Sequence, residues 1–401
     1  MQHGASHYGA SRHDAASPVI AARTLRRHGW LAPLAAVILA TGCARAPSPD
    51  VAPRTMVADT VWYVSARARV DGIDSQLLAD SLEYGFAILT RERVADPYTD
   101  AVDVTIADSV PLSEADFVAR LRARTDAGVA PDDFAVLYVH GYATSLHEAW
   151  TYAAVARVRT GADAPWIAFA WPSNGSGIAS PRIGALFARA YHDDSAAAAS
   201  SRPAFVRALR SVIAGTVASR LVLAPHSLGA QVVGESLADD LPLRITLGAT
   251  PLRAVAFIAP DVESRRFAKY IVPAVSPLTR RVLLYASSGD RVLALSRGIN
   301  KSQRAGLHDG TPLTHDGLET VDVSDGVGAG GWLQRVFGTH HAIRRASGTL
   351  FDLARVVGAE RVPDCRLTLG TATLGGDRIW RLGPAIPRGA APEQRCAATH
   401  P

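Results

Sequence analysis

Six short apolar runs, each one helical segment from the next, constrain this chain more than any other feature. They are Phe134–Val139 (FAVLYV), Trp166–Ala170 (WIAFA), Leu221–Ala224 (LVLA), Ala254–Ile258 (AVAFI), Val282–Ala286 (VLLYA) and Leu318–Val323 (LETVDV). A strand with one wet face alternates polar and apolar residues. Runs that are mostly apolar throughout belong in a parallel sheet covered by helices on both faces. Two earlier stretches, Val61–Val70 (VWYVSARARV) and Ala101–Ala107 (AVDVTIA), alternate in part and also read as strands. Glu114–Ala127 reads as a helix with Ser113 as its N-cap. The fold class expected is α/β, with eight strands, mostly parallel, in one domain over residues 58–360. No G-x-G-x-x-G opens a helix after the first strands, which speaks against a dinucleotide-binding version of the architecture.

The two ends of the chain read differently. Arg23, Arg26 and Arg27 precede the apolar run Trp30–Ala40, which is too short to span a bilayer. That run closes in Leu39-Ala40-Thr41-Gly42-Cys43, which resembles a bacterial lipobox. Residues 1–42 are therefore expected to be a lipoprotein-type signal peptide, and Cys43 the lipid-bearing first residue of an exported, envelope-anchored protein. Residues 43–57, with Pro47, Pro49 and Pro53, suit a tether. At the other end, 361–401 reads as a tail holding Cys365 and Cys396, an even pair expected to form a disulfide after export. The net charge of +5 is spread over scattered arginines, with Lys269 and Lys301 the only lysines. There is no basic-aromatic stripe, so a nucleic-acid partner is not expected.

Chemistry concentrates where Leu221–Ala224 runs into Pro225-His226-Ser227-Leu228-Gly229-Ala230 and then a helical segment. A serine on a tight turn from strand to helix, with glycine two residues on, has the arrangement of a nucleophile elbow. Pro225 stands where the usual pattern has its first glycine. The third strand, Phe134–Val139, ends in His140-Gly141-Tyr142, and the loop at that place supplies one backbone amide of an oxyanion hole, so the expected donors are the N–H groups of Tyr142 and Leu228. A nucleophilic serine needs a base, and the base a carboxylate to orient it. Chain order puts the acid after the sixth or seventh strand, which offers Asp261 or Asp290, with Asp290 preferred. Asp261 then reads as a helix N-cap or a supporting partner. The base follows the last strand, at His340 or its neighbour His341, with His340 preferred. No His/Cys spacing points to a metal, and the mechanism calls for no cofactor.

With these residues placed, the chain resembles the α/β-hydrolases grouped as domain of unknown function nine hundred, often labelled esterase/lipase-like. The resemblance runs from about Val61 to Val356. It rests on Tyr63-Val64-Ser65 with Arg67, Val139-His140-Gly141-Tyr142, Phe169-Ala170-Trp171-Pro172-Ser173, His226-Ser227-Leu228-Gly229, Ala259-Pro260-Asp261, and Ala286-Ser287-Ser288 with Asp290. It implies an α/β-hydrolase fold, Ser227 as nucleophile, a carboxylate from Asp290 or Asp261, and a histidine at His340. The flanks there read Thr339-His340-His341-Ala342-Ile343, where the family carries a G-H-x-Y-F-like segment. The expected activity is hydrolysis of a small-molecule or lipid carboxylic ester, or a thioester, through an acyl-serine. The rival expectations are an amidase or peptidase with the same triad, and a silent envelope protein using the fold to bind.

Overall fold

The computed structural model describes residues 55–71, 73–94, 102–127, 134–160, 164–173, 185–325, 340, 347–358, 368–374 and 377–382. Cys43, Cys365, Cys396 and His341 lie outside those residues, as do the expected signal segment and most of the tether. The strands are β1 (Met56–Val70), β2 (Ile73–Glu92), β3 (Val104–Leu112), β4 (Ala135–Val139), β5 (Trp166–Ala170), β6 (Leu221–Pro225), β7 (Ala254–Ile258), β8 (Val282–Ala286), β9 (Leu318–Asp322), β10 (Thr368–Leu374) and β11 (Asp377–Leu382). They join into one sheet in the order β10-β11-β9-β8-β7-β6-β4-β5-β1-β2-β3. From β1 across to β11 all neighbours are parallel, and antiparallel pairs occur only at the two edges.

The mostly parallel α/β reading holds, with three corrections. Eleven strands stand among the described residues where eight were expected. The first is β2, whose outer half IDSQLLADS is mostly exposed and lacks a clean alternation, so only Tyr84, Gly85, Ala87 and Leu89 of the strand are buried. The others are β10 and β11, which carry the sheet past residue 360 into the stretch read as a tail; Trp380 and Leu382 reach the core there. The boundaries of 58 and 360 are overrun at both ends, since β1 begins at Met56 and the strands Thr368–Leu374 and Asp377–Leu382 join the same sheet. Finally, β3 lies three residues later than expected and includes Pro111, which an edge strand accommodates because one side of its ladder is unpaired.

Helices cover both faces: α1 (Glu114–Ala127), α2 (Leu146–Thr160), α3 (Ala185–Ser200), α4 (Arg202–Thr216), α5 (Gly229–Asp239), α6 (Leu241–Ala249), the turns α7 (Ser264–Arg266) and α8 (Val272–Val275), α9 (Arg291–Asn300) and α10 (Ser347–Gly358). Ser113 caps α1 as expected, its Oγ accepting from the Asp116 N–H at 3.1 Å. In β4 every residue is buried, and successive side chains enter opposite cores. Leu137 and Val139 pack with Phe205, Leu209 and Val233, while Val136 and Tyr138 pack with Trp150, Leu350 and Leu353. The chain order reverses between β4 and β6, which are hydrogen-bonded neighbours although β5 lies between them in sequence. In an open α/β sheet the crevice beyond the carboxyl ends of such strands is where a site forms. Ser227 follows β6, and the His140–Thr144 loop follows β4.

Candidate active site

Ser227 sits at φ +54° on the turn between β6 and α5, a left-handed backbone that costs energy for a residue with a Cβ. The neighbouring strands impose that turn. The His226 N–H donates to the Val139 carbonyl at 2.9 Å and the Ser227 N–H to that of Ile258 at 3.1 Å, while the Ser227 carbonyl accepts from the Asp261 N–H at 3.1 Å. Pro225 ends β6 without breaking the arrangement, because the ladder resumes one residue later through His226. Two glycines make the packing possible. A Cβ on Gly229 would lie 2.4 Å from the Val139 carbonyl oxygen, and one on Gly141 would lie 2.6 Å from the Ser227 Cβ and 3.2 Å from its Oγ. The His140–Thr144 loop thus passes directly against the serine. Leu228 occupies the N-cap position of α5, where amides have no partner within their own helix.

Asp290 and His340 come together 50 residues apart in sequence. Asp290 is the N-cap of α9: its Oδ1 accepts from the Leu293 N–H at 2.9 Å, which turns Oδ2 toward the His340 Nδ1, also at 2.9 Å. The Nδ1–H donates to the carboxylate, so Nε2 is the basic nitrogen. Both residues are buried. Burial opposes a charge on His340, but the adjacent Asp290 carboxylate outweighs it and holds the imidazole above its ordinary value.

Asp261 belongs to a different network. Its carboxylate accepts from Arg304 Nε at 2.6 Å, Ser296 Oγ at 2.6 Å and the Tyr191 hydroxyl at 3.0 Å, all buried. It is not a helix cap either, because Glu263 caps the next helical turn. The two carboxylates are thus placed differently: that of Asp290 faces the histidine and that of Asp261 neutralises an arginine.

Two supports were not singled out by the sequence. The His226 Nε2–H donates to the His340 carbonyl at 2.6 Å, and the two rings lie 4.9 Å apart, so the residue before the serine fixes the residue that faces Asp290. His140 stacks on Trp171 at 5.0 Å, and the Trp171 Nε1–H donates to the His140 carbonyl at 2.8 Å. Burial pushes both His226 and His140 down to about 3, so both are neutral at physiological pH. A signal for these roles was present in the local motifs H-S-L-G and W-P-S, but their partners are remote in sequence. A further, half-buried pair, His308 Nε2 with Asp322 Oδ1 at 3.2 Å, neighbours Ser324. The Ser324 Oγ accepts from the Ser288 N–H at 2.9 Å, bracing the loop that leads into Asp290.

Among solved structures the chain is similar to an arylesterase, at 9% identity and a TM-score of 0.29 over 76% of this chain and 86% of that one. It is similar to the esterases of Rhizomucor miehei at 12% identity and 0.26, over 77% and 85%. A third likeness is to prolyl oligopeptidase B from Galerina marginata, at 14% identity and 0.29, over 76% of this chain but 38% of that one. No curated protein matches in sequence. A family profile described as alpha/beta hydrolase of unknown function (DUF900) matches residues 116–332, which hold the elbow, the His140–Thr144 loop and Asp290, and the chain belongs to that family.

Proposed function

We propose that the protein is a serine hydrolase that cleaves carboxylic esters or thioesters through an acyl-Ser227 intermediate. The observation that carries this reading is the buried Asp290–His340 hydrogen bond, on the same fold that holds Ser227 at positive φ. In the reaction, His340 Nε2 takes the Ser227 proton as Oγ attacks the substrate carbonyl. The tetrahedral oxyanion is met by the N–H groups of Leu228 and Tyr142. His340 then gives the proton to the departing alkoxide or thiolate, and water releases the acyl group by the same steps in reverse order of roles. Asp290 keeps the imidazole in the tautomer that leaves Nε2 free to accept, and stabilises it when charged.

The purified protein is expected to turn over short p-nitrophenyl esters at least about a hundredfold faster than the matching p-nitroanilides, because p-nitrophenolate leaves more readily than the anilide nitrogen, which must be protonated to depart. Faster cleavage of the anilides would move the reading to an amidase or peptidase. Turnover of neither would favour the binding role. We also propose that Cys43 carries a lipid that holds the enzyme at the envelope, on the strength of the Leu39–Cys43 signal. Cys43→Ser is then expected to leave the protein unprocessed or released from membranes. Unchanged processing and unchanged membrane association would refute the anchor.

A further inference from the structure

The His140–Thr144 loop is held by side chains at almost every peptide. Ala143 lies at φ +50°, and its N–H donates to Asp194 Oδ2 on α3 at 2.8 Å. The Thr144 N–H donates to Ser173 Oγ at 3.0 Å, and that hydroxyl donates back to the Thr144 carbonyl at 2.7 Å. The same carbonyl accepts from Arg67 Nη2, while Arg67 Nη1 reaches the carbonyls of Ser173 at 3.1 Å and Ser75 at 3.5 Å. Arg67 comes from β1 and Asp194 from α3, and the two residues are 5% and 2% exposed respectively.

This is costly construction. A buried guanidinium spent on carbonyl oxygens loses its hydration, and among the described residues no carboxylate lies in salt-bridge contact with it, although Asp74, Asp194 and Glu148 act on it from further away. Burial lowers Arg67 to about 10, which still leaves it charged at neutral pH. The loop it grips is the one whose Gly141 abuts Ser227. With the His140 carbonyl fixed by Trp171 and the Ala143 N–H by Asp194, the intervening Gly141–Tyr142 peptide has both flanks set.

We infer that Arg67 and Asp194 are a pair of positioning residues that hold the His140–Thr144 loop at two of its peptides, from β1 and from α3, so that the Tyr142 N–H is aimed at the oxyanion formed on Ser227. The inference rests on the function proposed above. Neither residue touches substrate. Their effect falls on the transition state, where the oxyanion exists, and not on substrate binding.

The test compares the full-length protein with Arg67→Met, Arg67→Lys and Asp194→Asn on p-nitrophenyl butyrate. Two further readouts are inhibition by a trifluoromethyl ketone and hydrogen exchange of peptides covering residues 140–146. In Arg67→Met, kcat is expected to fall about a hundredfold with KM within roughly threefold, as for loss of an oxyanion donor. The ketone, which forms an oxyanion on serine, should weaken by the same factor as kcat/KM, and exchange of 140–146 should quicken at least about tenfold. Arg67→Lys should recover only part, since it keeps the charge but not the planar fork. If Arg67→Met does not fold, Asp194→Asn carries the same expectations through its bond to the Ala143 N–H. A folded variant with kcat unchanged, or with only KM raised, overturns the inference, whether or not exchange quickens. If wild type and Ser227→Ala turn over the ester alike, the proposed function falls. The exchange measurement then decides the clamp separately, and unchanged exchange in the folded variants refutes it.

Discussion

Ser227→Ala is expected to cut ester turnover by about a thousandfold or more, and adding His340→Ala to it is expected to cost almost nothing further. The reasoning is that the two residues perform one act. His340 Nε2 has no proton to take once the hydroxyl is gone, and Ser227 is a poor nucleophile once the base is gone. His340→Ala alone should therefore be about as damaging as Ser227→Ala alone. Losses that multiply in the double variant would mean the residues act independently. The residual rate should be that of the oxyanion site and substrate binding. Binding itself should hardly change in Ser227→Ala, because the turn is fixed by backbone bonds from Val139 and Ile258 that the hydroxyl does not make.

The second large effect separates two buried aspartates. Asp290→Asn should lower kcat by as much as about ten-thousandfold with little loss of stability. Asparagine still caps α9, but it no longer holds the histidine in the right tautomer. Asp261→Asn should do the reverse. It leaves Arg304 buried beside a neutral amide, at a cost of about 3–5 kcal/mol in unfolding free energy, while turnover by the folded protein stays within about tenfold. The pH profile adds a sign. The base must be neutral to act, so kcat/KM rises with pH through the His340 ionisation, which lies above the ordinary imidazole value because the Asp290 carboxylate outweighs burial. Removing that carboxylate leaves burial opposed only by the smaller pull of Asp261, and the acidic limb should move to lower pH in Asp290→Asn. A folded Asp261→Asn without activity, beside an active Asp290→Asn, would transfer the acid role to Asp261.

What the sequence made legible was whatever is local. Trp166–Ala170, Ala254–Ile258 and Val282–Ala286 run as strands over the residues read from their apolar character, because central strands buried on both faces have no other composition available. The edges were illegible for the complementary reason. The outer half of β2 meets mostly solvent, and its adjacent Leu77 and Leu78 spoil any period of two. Ser227 was legible because an elbow needs its glycine within two residues. Asp290 and Asp261 stand at the ends of adjacent strands β8 and β7, and nothing near either one distinguishes them. The distinction is made by Arg304 and Ser296 on one side and His340 on the other, contacts that span 35 to 50 residues. Arg67 is the extreme case. In sequence it is one arginine among the alternating residues of a strand, and its role comes from carbonyls 77 and 106 residues away.

That Ser227 is a nucleophile is tested most directly by mass spectrometry after treatment with a fluorophosphonate. The expected result is a single phosphonylated peptide containing Ser227, absent in Ser227→Ala, formed much more slowly in His340→Ala, and appearing in step with loss of ester turnover. An intact, folded protein that takes up no label, or takes it up on a residue other than Ser227 while losing activity, would contradict it.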